Sequence, residues 1–120
     1  MKKAEVYNKT RKKIILEEAE IADSFFLRLK GLLGRRELMP RKGLIIKPCR
    51  SVHTLGMLFP IDLAFIAGDQ RICYLIEAMK PNRVSPVVKE ACCVIEAPAG
   101  TLNLNGTNVG DEVSINFVAS

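Results

Sequence analysis

A chain of 120 residues, 48% of them apolar, is long enough for one domain with its own core and too short for two comfortable ones. That apolar share excludes disorder as the main state, and with no Trp the core must come mostly from Ile, Leu, Val, Ala and 5 Phe. The net charge of +5 is uneven: residues 1–50 hold 14 Lys and Arg against 6 acids, a balance of +8, and residues 51–120 hold 4 against 7, a balance of −3.

In chain order, AEVYN (residues 4–8) reads as a first strand and NKTRKK as a polar turn region. KIILEEAEIAD reads as a second strand, although its Glu-rich middle also suits a helix. The stretch ADSFFLRLKGLLGR predicts one short helix near residues 23–33. Asp23 or Ser24 can cap it, Phe26, Leu29 and Leu33 recur at helical spacing, and Gly34 can end it. Its Arg28, Lys30, Arg35 and Arg36 would face water or a partner.

After Pro40 the period becomes two. KGLIIKP is a strand bounded by Gly43 and Pro48. IDLAFIA and RICYLIEAM flank Gly68 and Asp69 as a hairpin, and EACCVIEAP is a further buried strand. AGTLNLNGTNVGD is loop and turn material, and DEVSINFVA closes the chain as a strand with Val113, Ile115 and Phe117 on one face. Several short strands with one helix point to a single-domain, mainly β sandwich or barrel capped by that helix.

The charged start of the N-terminus is followed by no apolar segment, and the most apolar window, residues 55–67, holds Pro60 and Asp62. A chain without a membrane span, residing in the cytoplasm, is expected. The 4 cysteines, Cys49, Cys73, Cys92 and Cys93, form no C-x-x-C pair and should be reduced thiols, with adjacent Cys92 and Cys93 facing opposite sides of a strand. The basic clusters at Lys9 to Lys13 and Arg35 to Lys42 can meet nucleic acid or an acidic partner, or only solvate a face. No aromatic lies among them to stack on bases.

PCRSVHTLGMLFPIDLAFIAGD holds the lone His53 with Cys49, Met57 and Asp62. Thiol, imidazole and thioether would suit Cu(I), but positions four apart converge only on a helix, and Gly56 with the flanking β pattern opposes one. Asp62 either pairs with Arg50, His53 or Arg83, or accepts backbone N–H bonds at the Phe59–Pro60 turn. Cys49 or Ser51 with His53 can be drawn as a nucleophile and base, yet no nucleophile elbow, paired carboxylates or phosphate loop accompanies them. No catalytic set, cofactor or resident metal is therefore assigned.

The ordered motifs RLKGLLGR, GLIIKPCRSVHTLGMLFPIDLAFI, MKPNRVSP, VIEAPAGT and VGDEVSI resemble the small bacterial and archaeal family known as domain of unknown function 192. The likeness runs over residues 22–117, with residues 1–21 as preceding N-terminal strands of the same domain. It implies a jelly-roll-like sandwich with one helix and no established activity. Its recurring positions include Gly31, Leu32, Pro60, Gly100, Gly110 and Asp111, which turns and packing explain, and Arg35, His53, Thr54, Met57, Asp62 and Glu96. The latter six are the candidate ligand-binding residues, able to line a pocket or to form a satisfied internal network. The expected function is a non-enzymatic binding or accessory module, monomeric or weakly dimeric, that holds a small ligand or a protein segment near His53 and Asp62. The alternatives are a metal protein or enzyme using His53 with Cys49 or Asp62, and a basic-patch binder.

Overall fold

The computed structural model describes residues 2–118. Seven strands form one sheet: β1 Lys3–Asn8, β2 Lys13–Ala22, β3 Lys42–Ile46, β4 Ile61–Ala67, β5 Ile72–Met79, β6 Ala91–Pro98 and β7 Val113–Phe117, in the spatial order β5-β4-β6-β3-β2-β1-β7. The mainly β single domain is as expected. The sheet is continuous and curled. Its outer strands approach each other where Ile72 N–H donates to Asp111 O (2.9 Å) and Val113 N–H donates to Gln70 O (2.9 Å). Most neighbours are antiparallel, but β2 and β3 run parallel, with Ala19 opposite Gly43 and Ile21 opposite Ile45. A parallel pair needs a crossover, and the helical segment after β2 supplies it.

Period-two alternation divides the apolar residues between two cores. On β4, Ala64 and Ile66 face the concave core with Val6, Leu16, Ile95 and Val113. Ile61, Leu63 and Phe65 face the convex core with Leu32, Met57 and Val94. A strand covered on both sides reads as a nearly unbroken apolar run, as IDLAFIA does. The convex side is roofed by helix α1 Phe25–Lys30 and by the segments 48–60 and 80–90.

Helix α1 begins as predicted: the Ser24 hydroxyl accepts from Leu27 N–H at 3.1 Å. It is shorter than residues 23–33 because Gly31, not Gly34, takes the cap position, with φ 49° and its N–H on Leu27 O. The expected contribution of Phe26 and Leu29 to its apolar face lies outside the described side chains. Leu33 falls beyond the helix and is half-exposed. A second short helix, α2 Thr101–Leu104, occupies the stretch expected to be loop.

Candidate functional site

The segment 50–54 is extended. It runs antiparallel to residues 83–88, through Thr54 N–H to Arg83 O (2.8 Å), Ser85 N–H to Val52 O (2.8 Å) and Val88 N–H to Arg50 O (2.8 Å). Cys49, His53 and Met57 therefore share no helix face. All three nonetheless border one cleft, because the chain passes along its edge and turns at Gly56, whose φ of 79° suits a residue without Cβ.

The cleft encloses about 360 Å³ between α1 with its following turn and the segment 48–57. Ile46 of β3 and Glu96 of β6 form its floor, while Leu32, Val52 and Met57 give it apolar walls. Leu33 and Leu55 leave apolar surface at the mouth. Arg28, Lys30 and Arg50 also line it. None of these three cations makes an ion pair among the described residues.

Glu96 is the chemically unusual group. It shares the convex face of β6 with Val94, and its strand neighbours in register are Leu44 on β3 and Leu63 on β4. Both flanking strands thus present leucine. The side chain is 3% exposed, and its Oε1 has no hydrogen-bond partner among the described residues. Burial pushes its carboxyl from the ordinary 4.5 up to about 8, and the Arg35 guanidinium offsets only part of that rise. At neutral pH the group is mainly a neutral acid with an O–H to donate. Arg35 stands outside the cleft lining, held at 3.0 Å by Glu20 on β2.

The other expected residues separate into two groups. His53 is exposed at the cleft edge, where its Nδ1 accepts from Leu55 N–H at 3.3 Å. Met57 is buried in the cleft wall. Thr54 and Asp62 lie elsewhere and are satisfied. The Thr54 hydroxyl donates to Lys80 O (2.7 Å) and accepts from Arg83 N–H (3.0 Å), pinning segment 80–83 to segment 52–57. Asp62, fully buried, accepts from Ala78 N–H (2.8 Å) and Leu102 N–H (3.0 Å). Its two oxygens thus tie an irregular point of the β4–β5 pairing to the start of α2.

No hydrogen bond connects Cys49, His53 and Asp62 among the described residues. The Cys49 thiol donates to Ser51 O at 3.1 Å, and burial raises it further from the reactive thiolate. No group of three or more His, Cys, Asp or Glu side chains able to hold a metal occurs among the described residues. No described helix is long and apolar enough to cross a membrane. Much of the basic N-terminal half is tied to acids: Lys3 and Lys42 flank Glu18 at 2.7 and 3.2 Å, and Arg41 meets Glu17 at 2.8 Å.

Residues 6–115 match the family described as uncharacterized ACR, DUF192. The chain belongs to the DUF192 family. Among its DUF192-type relatives, a UPF0127 protein of Pyrococcus furiosus is 32% identical over 115 residues, covering 91% of this chain and 96% of that one. A UPF0127 protein of Thermococcus sibiricus is 31% identical over 114 residues, covering 88% of this chain and 71% of that one. A crystal structure of a protein of unknown function from Novosphingobium aromaticivorans shares the fold, with a TM-score of 0.76 at 21% identity over 93% of this chain and 83% of that one.

Within this DUF192 chain, the family-like motifs carry both structural pins and cleft residues. Thr54 and Asp62 do the pinning, while His53, Met57 and Glu96 border the cleft. Arg28 and Lys30 were expected to face water or a partner, but their meeting with Arg50 was not legible. Arg28 and Lys30 precede Arg50 by about twenty residues, and only the crossover brings them to one opening.

Proposed function

We propose that this protein is a non-enzymatic binding module that takes a small ligand in the cleft between α1 and the segment 48–57. The unpartnered Oε1 of Glu96 carries the reading. Buried carboxyls are normally hydrogen-bonded, because an unsatisfied one costs on the order of 1–3 kcal/mol. An orphaned acid on the floor of a mostly apolar cleft is a convergent polar group of the type that orients ligands. The cleft volume of about 360 Å³ falls within the range of small-molecule sites, roughly 300–1,000 Å³. The absence of a Cys–His–Asp hydrogen-bond relay among the described residues favours binding over nucleophilic chemistry. Four free cysteines suit a reducing, cytoplasmic setting.

A fragment screen followed by amide and methyl NMR tests this. Binding fragments should shift Leu32, Val52 and Met57 together, and Leu33→Trp, which places an indole at the mouth, should block them. Fragment shifts scattered over other faces, or binding indifferent to Leu33→Trp, would refute the site.

A further inference from the structure

We infer that the cleft selects a small anionic amphiphile: an apolar body, a carboxylate or phosphate held by Arg28, Lys30 and Arg50, and an oxygen acceptor that receives the Glu96 proton. This rests on the binding reading above and adds the chemistry of the ligand.

The charge argument comes first. The lining contains three cations and a single acid, Glu96. Lys30 and Arg50 are exposed, Arg28 is half-buried, and none is paired with an acid among the described residues. With the floor acid neutral, the ionised groups of this concave site are all of one sign, and such a site focuses potential and gathers ions of the opposite sign. A cationic ligand would meet the same field as a barrier. An amine reaching for Glu96 would have to pass it, so the acid does not mark an amine site.

The second argument concerns depth. Leu44 and Leu63 flank Glu96 on the sheet, and Leu32, Val52 and Met57 wall the space above. The ligand portion that meets these groups gains by being apolar. The floor carboxyl, neutral at physiological pH because burial pushes it up, has a proton to give and no partner for Oε1 among the described residues. A carbonyl or hydroxyl oxygen at the deep end satisfies it, whereas a second anion there would be left in an apolar environment. Volume sets the size: about 360 Å³ holds about a dozen water-sized groups.

A matched set of probes separates these features: 6-oxoheptanoate, heptanoate without the ketone, and heptan-2-one without the carboxylate. Affinities are read from the Met57 methyl shift, with circular dichroism confirming the fold of each variant. The keto-acid should bind about threefold to tenfold more tightly than either partial analogue, as expected for one net hydrogen bond or one well-placed ion contact. Glu96→Leu should erase the advantage over heptanoate, while Glu96→Gln, which retains a donor, keeps it. Arg50→Ala, or added salt, should erase the advantage over heptan-2-one. Equal binding of the ketone and the keto-acid overturns this inference and leaves the binding site standing. An unchanged ketone preference in Glu96→Leu also overturns it. Loss of all fragment binding in the cleft overturns both readings.

Discussion

Replacing Glu96 by Gln should change the pH dependence of stability in a calculable direction. In the folded protein burial raises this carboxyl from 4.5 to about 8. The native state therefore holds the proton more tightly than the unfolded chain, and ionisation favours unfolding. Its contribution is best below about pH 4.5, declines as pH rises, and levels off above about pH 8. The full separation corresponds to a cost on the order of 5 kcal/mol, at about 1.4 kcal/mol per tenfold change in the proton equilibrium. The portion falling between about pH 6 and pH 9 is roughly 2–3 kcal/mol. Gln has nearly the same shape and does not titrate. Any fixed cost of its amide is independent of pH and cancels when two pH values are compared. Cys73, Cys92 and Cys93 titrate alike in both proteins, and Cys49, whose thiol is raised chiefly by burial, differs only through its coupling to Glu96, which is itself part of the Glu96 ionisation being measured. Urea unfolding of both proteins at a series of pH values should show Glu96→Gln gaining roughly 2–3 kcal/mol on the parent from about pH 6 to pH 9. Parallel curves across that interval would refute the burial argument.

Arg35→Leu should move the Glu96 midpoint higher, because the guanidinium is the charge that favours the carboxylate; carbon-detected NMR of Glu96 would show it, and an unmoved midpoint would deny the coupling. Asp62→Asn should cost about 2–4 kcal/mol in urea unfolding, since one carboxamide oxygen cannot serve both Ala78 and Leu102 N–H groups; parental stability would show that the two bonds contribute little. Gly43→Ala should cost about 1–3 kcal/mol or more and shift the Glu96 amide signal. Its Cβ would collide with the Glu96 carbonyl oxygen and come within 2.6 Å of Leu16 Cδ1. Asp111 gives the opposite pH limb. Burial pushes it up, but hydrogen bonds from Asn8, Arg11 and Asn108 N–H together bring it below the usual carboxylate range. It stabilises above its unfolded value and loses that contribution as pH falls through the folded one, so Asp111→Asn should flatten acid unfolding below about pH 4.

The strands were legible because alternation and turn chemistry are local. IDLAFIA and RICYLIEAM pair antiparallel as a hairpin, and Cys92 and Cys93 do face opposite sides, one exposed and one buried. Gly100 and Gly110 take the positive φ values, 94° and 93°, that their turns suggested. What escaped local reasoning depends on distant partners. Helix α2 sits in a Gly- and Asn-rich stretch that favours turns, and its Leu102 N–H is satisfied by Asp62, 40 residues away. The parallel β2–β3 pair leaves no mark in either strand's pattern. Gly34 was expected to end α1, but the backbone turns three residues earlier, at Gly31. Glu96 entered through family likeness alone. Its alternation with Val94 places it on an apolar face, but its unpartnered oxygen is a property of Leu44, Leu63 and the roof above them.

The most direct measurement is the side-chain carboxyl carbon resonance of Glu96, followed with and without 6-oxoheptanoate from about pH 4 to about pH 10. A midpoint near 8 in the free protein, moving upward when the keto-acid is bound, is the predicted result, because the acceptor oxygen stabilises the protonated form. A midpoint near the ordinary 4.5, or one indifferent to the bound probe, would contradict a neutral acid waiting at the floor of a ligand cleft.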